Sequence, residues 1–187
     1  MTPFEYLSVL VSIIIGLGLS HLLSSTARLI QLRHRVRMHL PTLLWMLLLF
    51  VLQIQIWWAA FEGRHEAEWN FFSFLFFLLI PVLAYLLSYL LVPDLEDEAD
   101  IDLRASYHAN RVWFFGIFAL AALVSLGRDF VEDGREALDL DAAFRIAFLV
   151  MSLASARIRG EAFHRAGAAA TLMLFCAYVF VLFLQLS

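Results

Sequence analysis

The chain contains no lysine. That absence removes a retinal-type Schiff base, a phosphate-loop lysine and every other mechanism that depends on a lysine amine. A single cysteine, Cys176, excludes an intrachain disulfide and a cysteine-ligated cluster. It lies in the last apolar stretch and reads as an inert core thiol. Paired carboxylates at membrane depth, a nucleophile elbow and a catalytic triad are also missing, which argues against an enzyme. Gly16-Leu17-Gly18 begins like a dinucleotide fingerprint, but no strand precedes it and the glycines lie inside an apolar run, so close helix contact explains them better.

What the sequence has in quantity is apolar surface. Of 187 residues, 63% are hydrophobic and eighteen are phenylalanine, and the mean hydropathy is +0.82. Soluble domains hold roughly 45 to 50% apolar residues, whereas a helix needs roughly 20 such residues in a row to cross a bilayer core. The apolar stretches predict an all-α polytopic integral membrane protein: one bundle over 1–187 with six transmembrane helices at about 3–30, 41–61, 71–92, 112–126, 142–156 and 163–186. The fourth and fifth are short for a bilayer and need flanking residues or local thinning. Glu5 stands where a secretory signal carries a base, so the first stretch is expected to remain as a span.

Charge sets the orientation. Arg28, Arg33, Arg35, Arg37, Arg104, Arg111, Arg157, Arg159 and Arg165 fall on one side of the six-span scheme, and Arg64, Arg128, Arg135 and Arg145 on the other. Nine against four places the first side in the cytoplasm and both termini on the non-cytoplasmic side. The expected location is a plasma membrane or a bacterial-type inner membrane. The segment 93–111 is then an acidic cytoplasmic loop with six carboxylates before Arg104. It lacks the glycine turn of a calcium loop and reads as a solvated loop or a surface helix that a soluble partner could dock on through 94–102. The charge asymmetry concerns topology, and no nucleic-acid partner is expected.

In the first span, small residues recur every fourth position: Ser8, Ser12, Gly16, Ser20 and Ser24, then Arg28. Each step of four advances about 40° beyond a full turn, giving a slowly winding strip opposite Leu7, Val11, Ile15, Leu22 and Leu29. Small-residue strips of this kind are helix-packing seams. The expectation is that the seam faces protein, in the protomer core or at a homo-oligomer contact.

Intramembrane polar groups mark candidate sites. Glu5, Ser8, Ser12, His21, Gln53, Gln55 and Arg145 are candidates for a polar path or vestibule beside the first helix, with Glu5 as a counter-charge for Arg145 and His21 as a proton relay. A structural ion pair and a seam histidine are the plainer alternatives. His21, His108 and His164 share the inner half of the scheme and form a weak metal or haem set, without a paired motif. His65 with Glu62, Glu66 and Glu68 is a surface alternative outweighed by a solvated loop. No cofactor is expected, and haem or a metal ion is the lesser alternative.

The leading expectation for function is a small channel or transporter-like protein with its polar path along the first helix. The alternatives are a non-catalytic membrane subunit or sensor docking a partner through the acidic loop, and a haem- or metal-binding membrane protein.

Overall fold

The structure, a computed structural model, describes residues 3–62, 71–92, 101–132 and 140–183, with side chains over 8–60, 74–92, 101–127 and 140–180. The described residues form six helices and two short strands: α1 (Pro3–Gln31), β1 (Val36–Arg37), α2 (Leu40–Glu62), α3 (Phe71–Leu91), β2 (Ile101–Asp102), α4 (Leu103–Glu132), α5 (Leu140–Arg157) and α6 (Glu161–Phe183). The described residues are all-helical apart from that strand pair and the short connections. Among the described residues, five helices are long and apolar enough to cross a membrane, over Ser8–Gln31, Leu40–Ala60, Phe74–Leu91, Leu103–Gly127 and Glu161–Phe180. α5 is not among them: its 18 residues include Asp141, Arg145 and Arg157.

α4 corrects the sequence reading. It is 30 residues long and begins at Leu103, well before the expected start at 112. The reason is a cap. Asp102, the last acid of the charged run, accepts hydrogen bonds through Oδ1 from the amides of Arg104 (2.9 Å) and Ala105 (3.0 Å), satisfying two amides that the first helical turn leaves open. Residues 103–111 therefore take the helical one of the two expected forms. The remainder of the acidic segment, 93–100, lies outside the described residues, as does the loop holding His65.

The parallel pair β1–β2 joins Val36 to Ile101 and Arg37 to Asp102. Val36 and Ile101 are both buried, and the Ile101 amide donates to the Arg35 carbonyl at 3.0 Å. This small clasp ties the connector after α1 to the residues that cap α4. It brings the starts of α2 and α4 together at one end of the bundle.

The packing follows a simple plan. α2, α3, α4, α5 and α6 form a closed ring in which each helix touches the next and α6 returns to α2, while α1 lies outside against α2 and α3. Successive helices run in opposite directions, since α6 starts beside the first turn of α4 and α5 starts beside the end of α4. Trp45 of α2 anchors the interior, with edge contacts to Phe114, Phe115 and Phe118 at ring-centroid distances of 5.4, 5.3 and 5.4 Å. Such aromatic pairs stabilise beyond the area they bury.

Of the two places expected for the seam of α1, the protomer core is not the one it occupies. Ser12, Gly16, Ser20, Ser24 and Arg28 lie on the exposed side of the helix and Ser8 is half-buried, whereas Val11, Ile15, Gly18, Leu22, Ser25 and Leu29 form the buried side. Those residues recur at spacings of three and four, the helical stripe that packs against neighbours. Branched apolar side chains fill the groove between α2 and α3, and Gly18 lets Gln53 approach. The serines contribute little to that contact.

Candidate functional site

Among the described residues, ion-paired side chains collect at both ends of the ring. At the end where α4 stops and α5 starts, a cavity of about 480 Å³ opens among the five ring helices. Its walls are mostly apolar, from residues such as Leu52, Phe77, Pro81, Phe118, Phe148 and Phe175. Gln55, Ser125, Asp141, Arg145 and Tyr178 supply its polar groups. Pro81 stands inside α3, where it removes one amide donor from the helix ladder, and its ring forms part of the wall.

Arg145 is half-buried one turn into α5. Its Nη2 pairs with Asp141, four residues earlier on the same helix face, and its Nη1 donates to the Ser125 carbonyl at 3.1 Å. The other carboxylate oxygen of Asp141 is buried without a hydrogen-bond partner. Asp141, which the sequence reading did not single out, therefore serves as counter-charge to Arg145. The side chain of Glu5 lies outside the described residues. Asp141 could have been found from its i, i+4 spacing to Arg145, an ordinary helix ion-pair register.

The other vestibule candidates separate. Gln55 lines the cavity. Gln53 faces the α1 side: it is 1% exposed and its Nε2 donates to Ser88 Oγ at 2.8 Å, which in turn donates to the Ala84 carbonyl at 3.0 Å. Ser12 Oγ accepts from Trp57 Nε1 at 3.3 Å on the bundle surface. His21 stacks on Tyr89 of α3, with ring centroids 3.8 Å apart and planes 16° from parallel. Of the expected path residues, Gln55 and Arg145 share a cavity, which lies on the far side of α2 and α3 from α1.

At the opposite end, four side chains converge on Glu161, the first residue of α6. His39 Nε2 (3.1 Å) and Arg165 Nε (3.2 Å) reach Oε1, and Arg104 Nε (3.0 Å) and His108 Nε2 (3.3 Å) reach Oε2. A carboxylate in a first helical turn is further stabilised by the open amides there. His39 is 4% exposed, and its Nδ1 lies 2.9 Å from Thr42 Oγ1. Burial holds His39 below its ordinary 6.5, against the opposing pull of Glu161.

Of the three histidines expected together, His108 and His164 do meet, with ring centroids 5.5 Å apart. His21 lies elsewhere, and His39 takes its place. His164 is fully committed: Nε2–H donates to the Ile158 carbonyl at 2.9 Å, so Nδ1 accepts from the Tyr107 hydroxyl at 2.9 Å. That leaves it no lone pair for a metal, which removes His164 from the ligand set. One ligand-type atom from each of His39, His108 and Glu161 lies within 4.8 Å of the others.

The fold and its two polar ends define an all-helical protein that fits a membrane location, with a five-helix ring around a cavity and a sixth helix outside. No family model, curated protein or solved structure matches the chain.

Proposed function

We propose that the chain is a small transporter-like membrane protein whose working space is the cavity of the α2–α6 ring. It crosses the membrane six times, both termini lie on the non-cytoplasmic side, and the arginine-rich Glu161 end faces the cytoplasm. α5 is the span that carries the working charges. Its 18 residues reach about 27 Å, close to a hydrocarbon core of about 30 Å, and its arginine and aspartate point inward where a charge in hydrocarbon is otherwise costly.

The observation that carries this reading is the cavity with an Arg145–Asp141 pair in apolar walls. A volume of about 480 Å³ falls in the range of small-molecule sites, and apolar walls with a few convergent polar groups are their usual lining. Because the guanidinium is matched by a carboxylate, the site favours an amphipathic molecule with a zwitterionic or neutral polar head over a simple anion.

The test is a thermal-shift screen of purified protein against small amphipathic zwitterions, carboxylates and amines, followed by uptake into reconstituted vesicles. A zwitterion that stabilises the protein and enters vesicles faster than in empty controls is the expected result. Ala122→Phe, which fills the cavity and leaves the ion pair in place, should abolish both effects. Uptake no faster than in empty vesicles, or uptake unchanged by Ala122→Phe in a folded variant, refutes the reading.

A further inference from the structure

We propose that His39, His108 and Glu161 form a binding site for a divalent transition-metal ion of the zinc class. Two imidazoles and a carboxylate are a donor set such ions favour. Two of the separations fit as well, and all three donor atoms lie within 4.8 Å of one another. His39 Nε2 and His108 Nε2 lie 3.1 and 3.3 Å from the two Glu161 oxygens, and ligands at about 2.0–2.1 Å around a tetrahedral zinc stand roughly 3.3 Å apart. A small inward shift of side chains closes the set.

The ligands sit on three separately anchored elements. His39 lies between β1 and α2, two residues past the β1–β2 clasp, His108 lies in the second turn of α4, and Glu161 opens α6. His39 also has the support expected of a metal ligand. With a metal on Nε2, its Nδ1–H donates to Thr42 Oγ1, fixing tautomer and ring orientation. His164 and Tyr107, bonded to each other, form the wall behind the site.

Arg104 and Arg165 also contact Glu161, and they are the competitors for a cation. Their side chains are 62% and 63% exposed, so both can turn into water. A neutral imidazole that directs Nε2–H at Glu161 binds the ion as its other tautomer, so loading the site moves that proton to Nδ1, where for His39 Thr42 Oγ1 accepts it. Three protein ligands leave a fourth position for water.

The experiment titrates Zn²⁺ into chelator-stripped, full-length protein by calorimetry, with Co²⁺ absorbance as a second readout. Wild type should bind one ion per chain. His108→Asn and Glu161→Gln should each weaken binding by about tenfold or more, while His34→Asn should change nothing. Thr42→Val should weaken binding and leave all three ligands in place, which keeps the test decisive where a ligand variant fails to fold. No saturable uptake of Zn²⁺ or Co²⁺ by wild type, or equal affinity in His108→Asn and Glu161→Gln, overturns the proposal. The site lies at the opposite end of the bundle from Arg145 and Asp141, so failure of the transport experiment leaves it standing, and the converse holds.

Discussion

Gly18 of α1 lies so close to Gln53 of α2 that a methyl group at Gly18 would overlap the Gln53 carboxamide. The carboxamide has little room to yield, because it is buried and its Nε2 donates to Ser88. Three helices therefore meet at one polar contact in an apolar interface. Gly18→Ala should destabilise the protein by about 1 to 3 kcal/mol, the usual cost of overpacking. At Gly16 a methyl group meets nothing within 4 Å, so Gly16→Ala should be neutral or stabilise by up to about 1 kcal/mol through helix propensity. Thermal unfolding in detergent compares the two, and equal effects would disprove the assignment of faces.

That contrast shows why the face of α1 was hard to read. Ser8, Ser12, Gly16, Ser20 and Ser24 keep a regular spacing, and so do Val11, Ile15, Leu22 and Leu29 on the other side. In water one of those stripes would have to be hidden. In a bilayer both are tolerated, since lipid is as apolar as a leucine side chain. Helix existence was legible because long apolar runs have few alternatives, whereas the start of α4 was not, because its acidic lead-in hid Asp102 as a cap.

The Glu161 cluster was illegible for a different reason. His39 and Glu161 are 122 residues apart, and nothing local links them. The signal lay in helix direction: the starts of α2, α4 and α6 share one end, so His39, His108 and Glu161 were neighbours in depth. Only the β1–β2 clasp and the ring order turn shared depth into contact.

Asp102 gives a prediction with a definite pH direction. The Ala105 amide, then the Arg104 amide and the Arg37 guanidinium, outweigh desolvation and hold its carboxyl below the ordinary 3.8. A depressed carboxyl stabilises the fold above its unfolded value, and that stabilisation is lost as pH falls through the lower folded value. Asp102→Ala should therefore lower the melting temperature by a constant amount near neutral pH. The gap to wild type should narrow on acidification below 3.8. A gap that widens in acid would contradict the cap.

Tyr107 and His164 test the wall behind the histidine cluster. Removing the hydroxyl with Tyr107→Phe leaves the His164 Nδ1 lone pair buried without its donor. An orphaned buried acceptor costs about 1 to 3 kcal/mol, readable as a lower melting temperature with the helical signal unchanged. His164→Phe deletes the acceptor as well, so the hydroxyl of Tyr107 becomes the orphan. Adding Tyr107→Phe to His164→Phe should then cost less than it does in wild type. Additive effects would mean the two side chains do not share this bond.

Arg145 and Asp141 should behave as one unit. Taking away either charge leaves the other in a mostly apolar cavity. Removing one partner of a fully buried pair costs about 3 to 5 kcal/mol, and this pair, still partly exposed, should fall below that range. Asp141→Asn and Arg145→Gln should each be destabilising, and the double variant should recover part of the loss, with a coupling of about 0.5 to 3 kcal/mol by a double-mutant cycle. The folded double variant is also the informative one for function, because it keeps the cavity volume and removes both charges. It should retain affinity for a neutral amphipathic ligand and lose its preference for a zwitterion. If the cycle shows no coupling, the pair does not hold α5 in place, and the case for α5 as the charge-bearing helix of the cavity fails with it.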